Sequence, residues 1–217
     1  MNRPPDISIN RLAVYLRFLE GFVEEKGADS TINSEELARF LDINPHQIRK
    51  DLSYFGKFGE RGKGYRAEEL RDKLRKILGL EKKWNLCLCG MGNLGSALFA
   101  YGGFRQLHLD IVAVFDNDPH KIGESVKGVK IFAPDKISRV AKQLHIDIAI
   151  IAVPPQAAQA VTDKLITAGV RAILNFAPVK LNVPASVKLR NVDLSTQLIN
   201  LTYFLSCVKT LDKNKIL

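Results

Sequence analysis

Gly90, Gly92 and Gly95 stand directly behind the apolar run Asn85–Cys89 and directly ahead of a helical stretch that begins at Asn93. A strand that becomes a helix through glycines at that spacing has few folds open to it. The first glycine permits a tight turn, the second lets backbone approach a pyrophosphate, and the third lets helix pack close on strand. The helix N-terminus then offers free backbone N–H groups to an anion. Alone the pattern is weak, and a merely glycine-rich turn is the bland alternative. Context strengthens it, because Asp116 ends the next apolar strand, Ile111–Phe115, where a carboxylate can accept ribose hydroxyls. The spacing therefore predicts a dinucleotide site that uses Gly90, Met91, Gly92, Asn93, Leu94, Gly95 and Asp116. With Asp118 nearby, a 2′-phosphate would meet carboxylates, so NAD(H) is expected over NADP(H). Lys121 is the residue that argues otherwise.

The chain after Trp84 keeps to the same grammar. Short apolar runs (Ile146–Val153, Ala172–Asn175, Leu189–Val192) alternate with the helical stretches Asn93–Phe104 and Pro155–Ala168. That alternation implies βαβ units and a largely parallel sheet covered on both faces. Val153 and Pro154 stand at the carboxyl end of the run Ile146–Val153, in the crevice where a nicotinamide rests. An apolar wall there favours the neutral reduced ring over the cationic oxidised one, because desolvating a charge is costly. Cys87 and Cys89 alternate along the first strand and share one face of it, which reads as inert core thiols rather than a redox pair. With Cys207 they make an odd number, without metal-ligand spacing.

The first 83 residues follow another pattern. Leu12, Tyr15, Leu16 and Leu19 recur at helical spacing between Ser8 and Glu25. After a loop, Lys26 to Ile32, Asn33 and Glu36 stand in a capping-box relation ahead of a helix that buries Leu37, Ala38 and Leu41. Asn44 and Pro45 open the next helix as N-cap and first helical residue. Ile48, Leu52 and Phe55 face inward from it, which leaves His46, Gln47, Arg49, Lys50 and Ser53 pointing out. The segment 56–66 is punctuated by glycine and reads as a tight two-stranded ribbon. A charged helix then runs from Ala67 to about Leu78, and Gly79 to Lys83 look like a hinge.

Charge separates the two halves. The whole chain carries a net charge of +9, and Pro45–Arg66 alone holds six basic residues against Asp51 and Glu60. Such a concentrated patch is the footprint of nucleic-acid binding, although a solvated helical face remains an alternative. Gln47, Arg49, Lys50 and Ser53 are of the kinds that read base edges and phosphates from a major-groove helix. Lys57, Arg61, Lys63 and Tyr65 suit a wing laid along the backbone or minor groove.

The final helix, about Thr196 to Leu211, is apolar around more than one stripe, through Leu198, Ile199, Leu201, Phe204, Leu205, Val208 and Leu211. A dimer partner is the simplest cover for it. No apolar h-region follows Met1–Pro5 and no run is long enough to span a bilayer, so a cytoplasmic protein without membrane contact is expected.

Several blocks closely resemble the Rex family of bacterial redox-sensing transcriptional repressors. They are His46–Gly56 with Gly62–Tyr65, then Cys89–Gly95, Val114–Pro119, Leu174–Pro178 and Asn191–Leu194. The likeness covers nearly the whole chain. It implies a winged helix-turn-helix domain (1–83), a Rossmann-type NAD(H) domain (84–194) and a dimer-swapped C-terminal helix (195–217). It also implies a homodimer on double-stranded palindromic operator DNA, released by NADH, with NAD+ permitting repression. By the same analogy Tyr101 sits beside the nicotinamide, and Arg17 and Asp193 join domain to domain.

Two rivals stay open. A small NAD-dependent dehydrogenase needs a proton-transfer group beside the hydride site, yet His108, His120 and His145 fall in expected loops or helix ends. A nucleotide-binding scaffold leaves the charge of residues 49–66 without a purpose.

Overall fold

The computed structural model describes residues 4–59 and 62–213, with side chains described as far as Ser206. The chain divides into two compact units, Met1–Lys82 and Lys83–Leu217.

The first unit contains α1 (Asp6–Lys26), β1 (Thr31–Ile32), α2 (Ser34–Leu41), α3 (Pro45–Ser53), β2 (Tyr65–Arg66) and α4 (Ala67–Ile77). α1 buries Leu12, Tyr15, Leu16, Leu19 and Val23 down one stripe, and these pack with Leu37, Ile48, Leu52, Leu70 and Leu74 from the other helices. The capping box forms as its residue types require: Asn33 Oδ1 accepts from the Glu36 N–H, and Glu36 Oε2 accepts from the Asn33 N–H, both at 2.9 Å. α2 ends at Asp42, which adopts the left-handed conformation at φ 53°. Asn44 Oδ1 then accepts from the His46 N–H at 2.8 Å and starts α3, with Pro45 in its first turn. The result is a helix-turn-helix with a three-residue turn, Asp42–Asn44.

The expected ribbon needs correction. Tyr65 and Arg66 pair with Ile32 and Thr31, antiparallel, so the strand partner comes from a stretch read as loop. Gly64 permits the approach, since a Cβ there would lie 2.8 Å from the Ile32 carbonyl oxygen and φ is +77°. Strands two residues long carry no period, so alternation in the sequence does not reveal them.

The second unit contains β3 (Trp84–Cys89), α5 (Asn93–Ala100), α6 (Gly103–Gln106), β4 (Leu109–Phe115), β5 (Ser125–Val126), β6 (Val129–Phe132), α7 (Ile137–Gln143), β7 (Ile148–Ile151), α8 (Pro155–Thr167), β8 (Ala172–Asn175), β9 (Lys188–Asn191) and α9 (Leu194–Lys213). Its sheet runs β5-β6-β4-β3-β7-β8-β9, parallel throughout except for the β5–β6 pair. Alternation along β3 divides the core. Cys87 and Cys89 face the layer formed by α7 and α8, while Leu86 and Leu88 face the other side with Met91 and Leu98. Both thiols are buried and unpaired, as the alternation predicts.

Three differences from the sequence reading stand out here. The single helix expected over 93–104 is broken after Ala100: Tyr101 turns extended and the Gly102–Gly103 pair starts a separate turn of helix, because glycine disfavours helix interiors. The hairpin β5–β6 and α7 fall in a stretch to which periodicity assigned no element. α9 begins at Leu194, two residues before the expected start. Asp193 is the reason: its Oδ1 accepts from the Ser195 and Thr196 N–H groups at 2.9 and 3.2 Å, and its Oδ2 from the Thr196 hydroxyl at 2.8 Å. Every described side chain from Asp193 to Ser206 is exposed. Leu198, Ile199, Leu201, Phe204 and Leu205 are among them, each more than half exposed. Val208 and Leu211 lie outside the residues whose side chains are described. Among the described residues no helix is long and apolar enough to cross a membrane.

Candidate dinucleotide cavity and nucleic-acid interface

A cavity of about 800 Å³ opens beyond the carboxyl ends of the parallel strands, walled by residues that follow β3, β4, β7 and β8. The β3–β7 boundary is where the strand order reverses, the place at which doubly wound sheets bind ligands. The volume lies within the range of small-molecule sites, ~300–1,000 Å³.

The three glycines have different physical roles. A Cβ on Gly90 would lie 2.5 Å from the Ala152 carbonyl oxygen, at φ +95°, and one on Gly95 would strike the Gly90 carbonyl directly. Those two are demanded by packing. Gly92 is not: a Cβ there meets nothing within 4 Å, and the residue lies on the cavity wall. Bare backbone with open space before it is what an approaching pyrophosphate requires.

Asp116 is only 8 % exposed. Its Oδ2 accepts from the Met91 N–H at 2.6 Å and its Oδ1 from the Asp118 N–H at 2.8 Å. The carboxylate thus ties the glycine loop to the end of β4, a contact the sequence offered no way to see. Lys121 Nζ closes the same corner, 3.1 Å from the Met91 carbonyl and 3.5 Å from Asp118 Oδ2. Hydrogen bonding by the His120 N–H, with help from Lys121, holds the Asp118 carboxyl below the usual carboxylate range.

Of the expected cofactor residues, Gly90, Gly92, Leu94, Asp116, Val153 and Pro154 lie on the wall. Met91 does not: its side chain is buried in the core beneath, leaving the backbone to serve. Gly95 is internal and Asn93 is exposed at the start of α5. Tyr101 is 51 % exposed, edge-on to Phe104 at 5.1 Å, and lies off this chain's cavity wall. Pro134, Ile137, Ala160, Lys164 and Phe176 are wall residues that the sequence reading missed. Their signal is tertiary, since three separate elements contribute them. Buried Asn175 shapes the Phe176–Pro178 part: its amide donates to the Ala177 carbonyl and to Asn191 Oδ1, both at 3.0 Å, and its Oδ1 accepts from the Ala177 N–H at 2.9 Å. His108 and His145 occupy left-handed turn positions, and none of the three histidines of this unit lines the cavity.

In the first unit, Asp51, one of the two acids set against the basic residues of Pro45–Arg66, does not lie at the surface. It is fully buried in the first turn-to-last-turn face of α3 that meets α1. Its oxygens accept from Ser8 Oγ (2.8 Å), Tyr15 OH (2.8 Å), the Arg11 guanidinium (2.5 and 2.7 Å) and Gln47 Nε2 (2.9 Å). Burial pushes the carboxyl up, but those donors outweigh it and leave the group below its ordinary range. Burial also raises the Tyr15 phenol, with the Asp51 hydrogen bond adding to it. Gln47, expected to point outward, is instead half-buried and committed to Asp51, one helical turn away. Lys50, Ser53, Lys57 and Lys63 are exposed as expected, and Ser53 Oγ donates to the Lys50 carbonyl at 2.7 Å. Arg49 is half-buried beside Ser34 and Glu35. Tyr65, expected on a wing against DNA, is instead in strand β2: it is half-buried against the core, and burial raises its phenol pKa. Arg61 lies outside the described residues. Arg17 is exposed on α1, and Asp193 caps α9, where the Thr196 hydroxyl holds its carboxyl below the usual range.

Residues 81–179 match the family described as CoA binding domain, and residues 5–53 match the family described as putative DNA-binding protein N-terminus. The redox-sensing transcriptional repressor Rex of Desulfitobacterium hafniense is 52 % identical over 92 % of this chain and 94 % of its own length. A crystal structure of RSP in complex with beta-NAD+ and operator DNA superposes with a TM-score of 0.90 at 36 % identity, covering 99 % of this chain and 98 % of that one. RSP in complex with beta-NADH gives 0.86 at 35 % identity, covering 96 % and 97 %.

Proposed function

Because this chain belongs to the Rex family of redox-sensing transcriptional repressors, we propose that it binds palindromic double-stranded operator DNA as a homodimer and is released by NADH. The observation that carries this reading is the pairing, on one chain, of a capped helix-turn-helix with an NAD-sized cavity behind a glycine loop. α3 is the major-groove helix, with Lys50 and Ser53 outermost and Arg49 beside them at the edge it shares with α2, and Lys57 and Lys63 accompany the backbone. The dinucleotide lies over Gly92 with its pyrophosphate at the start of α5, its ribose near Asp116 and its nicotinamide toward Val153 and Pro154. The apolar character of that last wall favours the uncharged reduced ring. Asp116 and Asp118 disfavour a 2′-phosphate, and Lys121 is already engaged by the same corner.

Dimerisation covers the exposed apolar faces of α9, swapped between protomers. Gly79 to Lys83 serve as hinge between a DNA domain and a nucleotide domain, with Arg17 and Asp193 joining the two. Tyr101 enters as the nicotinamide neighbour implied by the family. Relatives of this chain are transcriptional repressors, and we infer that this one likewise acts in the cytoplasm and turns over no substrate. A dehydrogenase would need a proton donor at the hydride position, and the histidines are elsewhere.

Fluorescence anisotropy on a palindromic promoter duplex, titrated with protein in the presence of NADH or NAD+, tests the proposal. Release by NADH at concentrations where NAD+ leaves the complex intact is the expected result. Equal binding with either nucleotide would refute redox sensing.

A further inference from the structure

Arg49 leaves α3 and meets the start of α2. Its Nη1 donates to the Ser34 hydroxyl at 2.5 Å and to Glu35 Oε1 at 2.8 Å. The same hydroxyl donates to Glu35 Oε2 at 3.2 Å, which closes a ring of three side chains. Ser34 is 6 % exposed and stands in the first turn of a helix capped by Asn33, so the base of the ring is rigid. The tip is open: the Arg49 and Glu35 side chains are 40 % and 61 % exposed. The hydrogen bond from Arg49 also holds the Glu35 carboxyl below its ordinary range, which keeps it ionised at neutral pH.

Both contacts draw on one nitrogen. Nε and Nη2 make no hydrogen bond among the described residues. A guanidinium carries its donors in a rigid plane, and two of them side by side match the O6 and N7 acceptors of guanine in the major groove. An arginine already held in one orientation also loses less rotamer freedom on docking than a free one.

We propose that Ser34 and Glu35 are positioning residues for base readout: they clamp Arg49 by Nη1, so that its remaining edge is presented to a guanine. The assignment rests on the proposed binding of DNA through α3. It differs from simple charge masking, in which Glu35 subtracts one positive charge and its removal tightens every duplex alike.

The test uses the full-length protein with NAD+, a duplex that the wild type selects from a random-sequence pool, and an unrelated duplex of equal length. Each guanine of the selected half-site is replaced in turn by 7-deazaguanine, which lacks N7. The wild type is expected to lose about tenfold in affinity at one guanine, within the range for a bidentate pair. Glu35→Ala is expected to weaken the selected duplex by a similar factor, spare or tighten the unrelated one, and become indifferent to 7-deazaguanine at that position. Glu35→Gln, whose carbonyl can still accept the bond, should retain most of the affinity. In an Arg49→Ala background Glu35→Ala should change nothing. NADH affinity and melting temperature, measured on every variant, expose any loss of fold. Equal effects of Glu35→Ala on both duplexes, or an undiminished effect without Arg49, would overturn the assignment while leaving the DNA-binding reading intact. Failure of the wild type to select any sequence would remove that reading and the assignment together.

Discussion

Single residues in this protein divide by what surrounds them rather than by type. Gly92 and Gly95 belong to one motif, yet only Gly95 is required by packing. Gly92→Val is therefore expected to melt like the wild type and keep its operator affinity while losing NADH binding, which fluorescence titration measures directly. Gly95→Val should fail to fold its second unit. Asp51 makes the same point for charge. Removing one partner of a buried, hydrogen-bonded ion pair costs about 3–5 kcal/mol, so Asp51→Ala should unfold the first unit at markedly lower denaturant. The folded-state pKa of Asp51 is depressed below its ordinary 3.8. Its contribution is thus complete above the unfolded pKa and is lost as pH falls through the folded one. The stability gap between wild type and Asp51→Ala should be constant at neutral pH and shrink progressively as pH falls below about 4; a gap that widens on acidification would show that the carboxylate charge is not what the network holds.

Among the elements, α9 carries the sharpest consequence. Its described side chains are exposed on every face, and its leucines, isoleucine and phenylalanine face water in a lone chain. A helix apolar over more than one stripe needs cover on more than one side. Leu198→Asp with Phe204→Asp is expected to give a monomer by light scattering and to lose most operator affinity, since one half-site remains per molecule. A dimer that survives both changes would move the interface elsewhere. α3 shows the converse case: its inner face is committed through Gln47 and Asp51, so the face proposed to meet DNA is narrower than helical periodicity implied. Arg49→Ala should weaken DNA binding and leave NADH affinity unchanged.

For the molecule as a whole, the proposed release of DNA by NADH is a coupling free energy, and couplings of this kind amount to about 1–3 kcal/mol, roughly 5–150-fold in affinity. Linkage is reciprocal, so operator DNA should weaken NADH binding by the same factor that NADH weakens DNA binding. Calorimetric titration of NADH with and without operator checks this, and an unchanged dissociation constant refutes it. Much of the design was legible before any coordinates. Local rules announced the capping box at Asn33–Glu36, the Asn44–Pro45 helix start, the glycine turn and the strands around it, because each depends on residues a few positions apart. What escaped were contacts between distant segments. Thr31–Ile32 found Tyr65–Arg66, Asp116 reached back to Met91, Asp51 met Ser8, Arg11 and Tyr15, and Ser34 with Glu35 took hold of Arg49. Periodicity tells which face of an element turns inward. Only the folded chain decides which polar group waits there, since a hydrogen bond needs two partners within a fraction of an ångström and the sequence places them tens of residues apart.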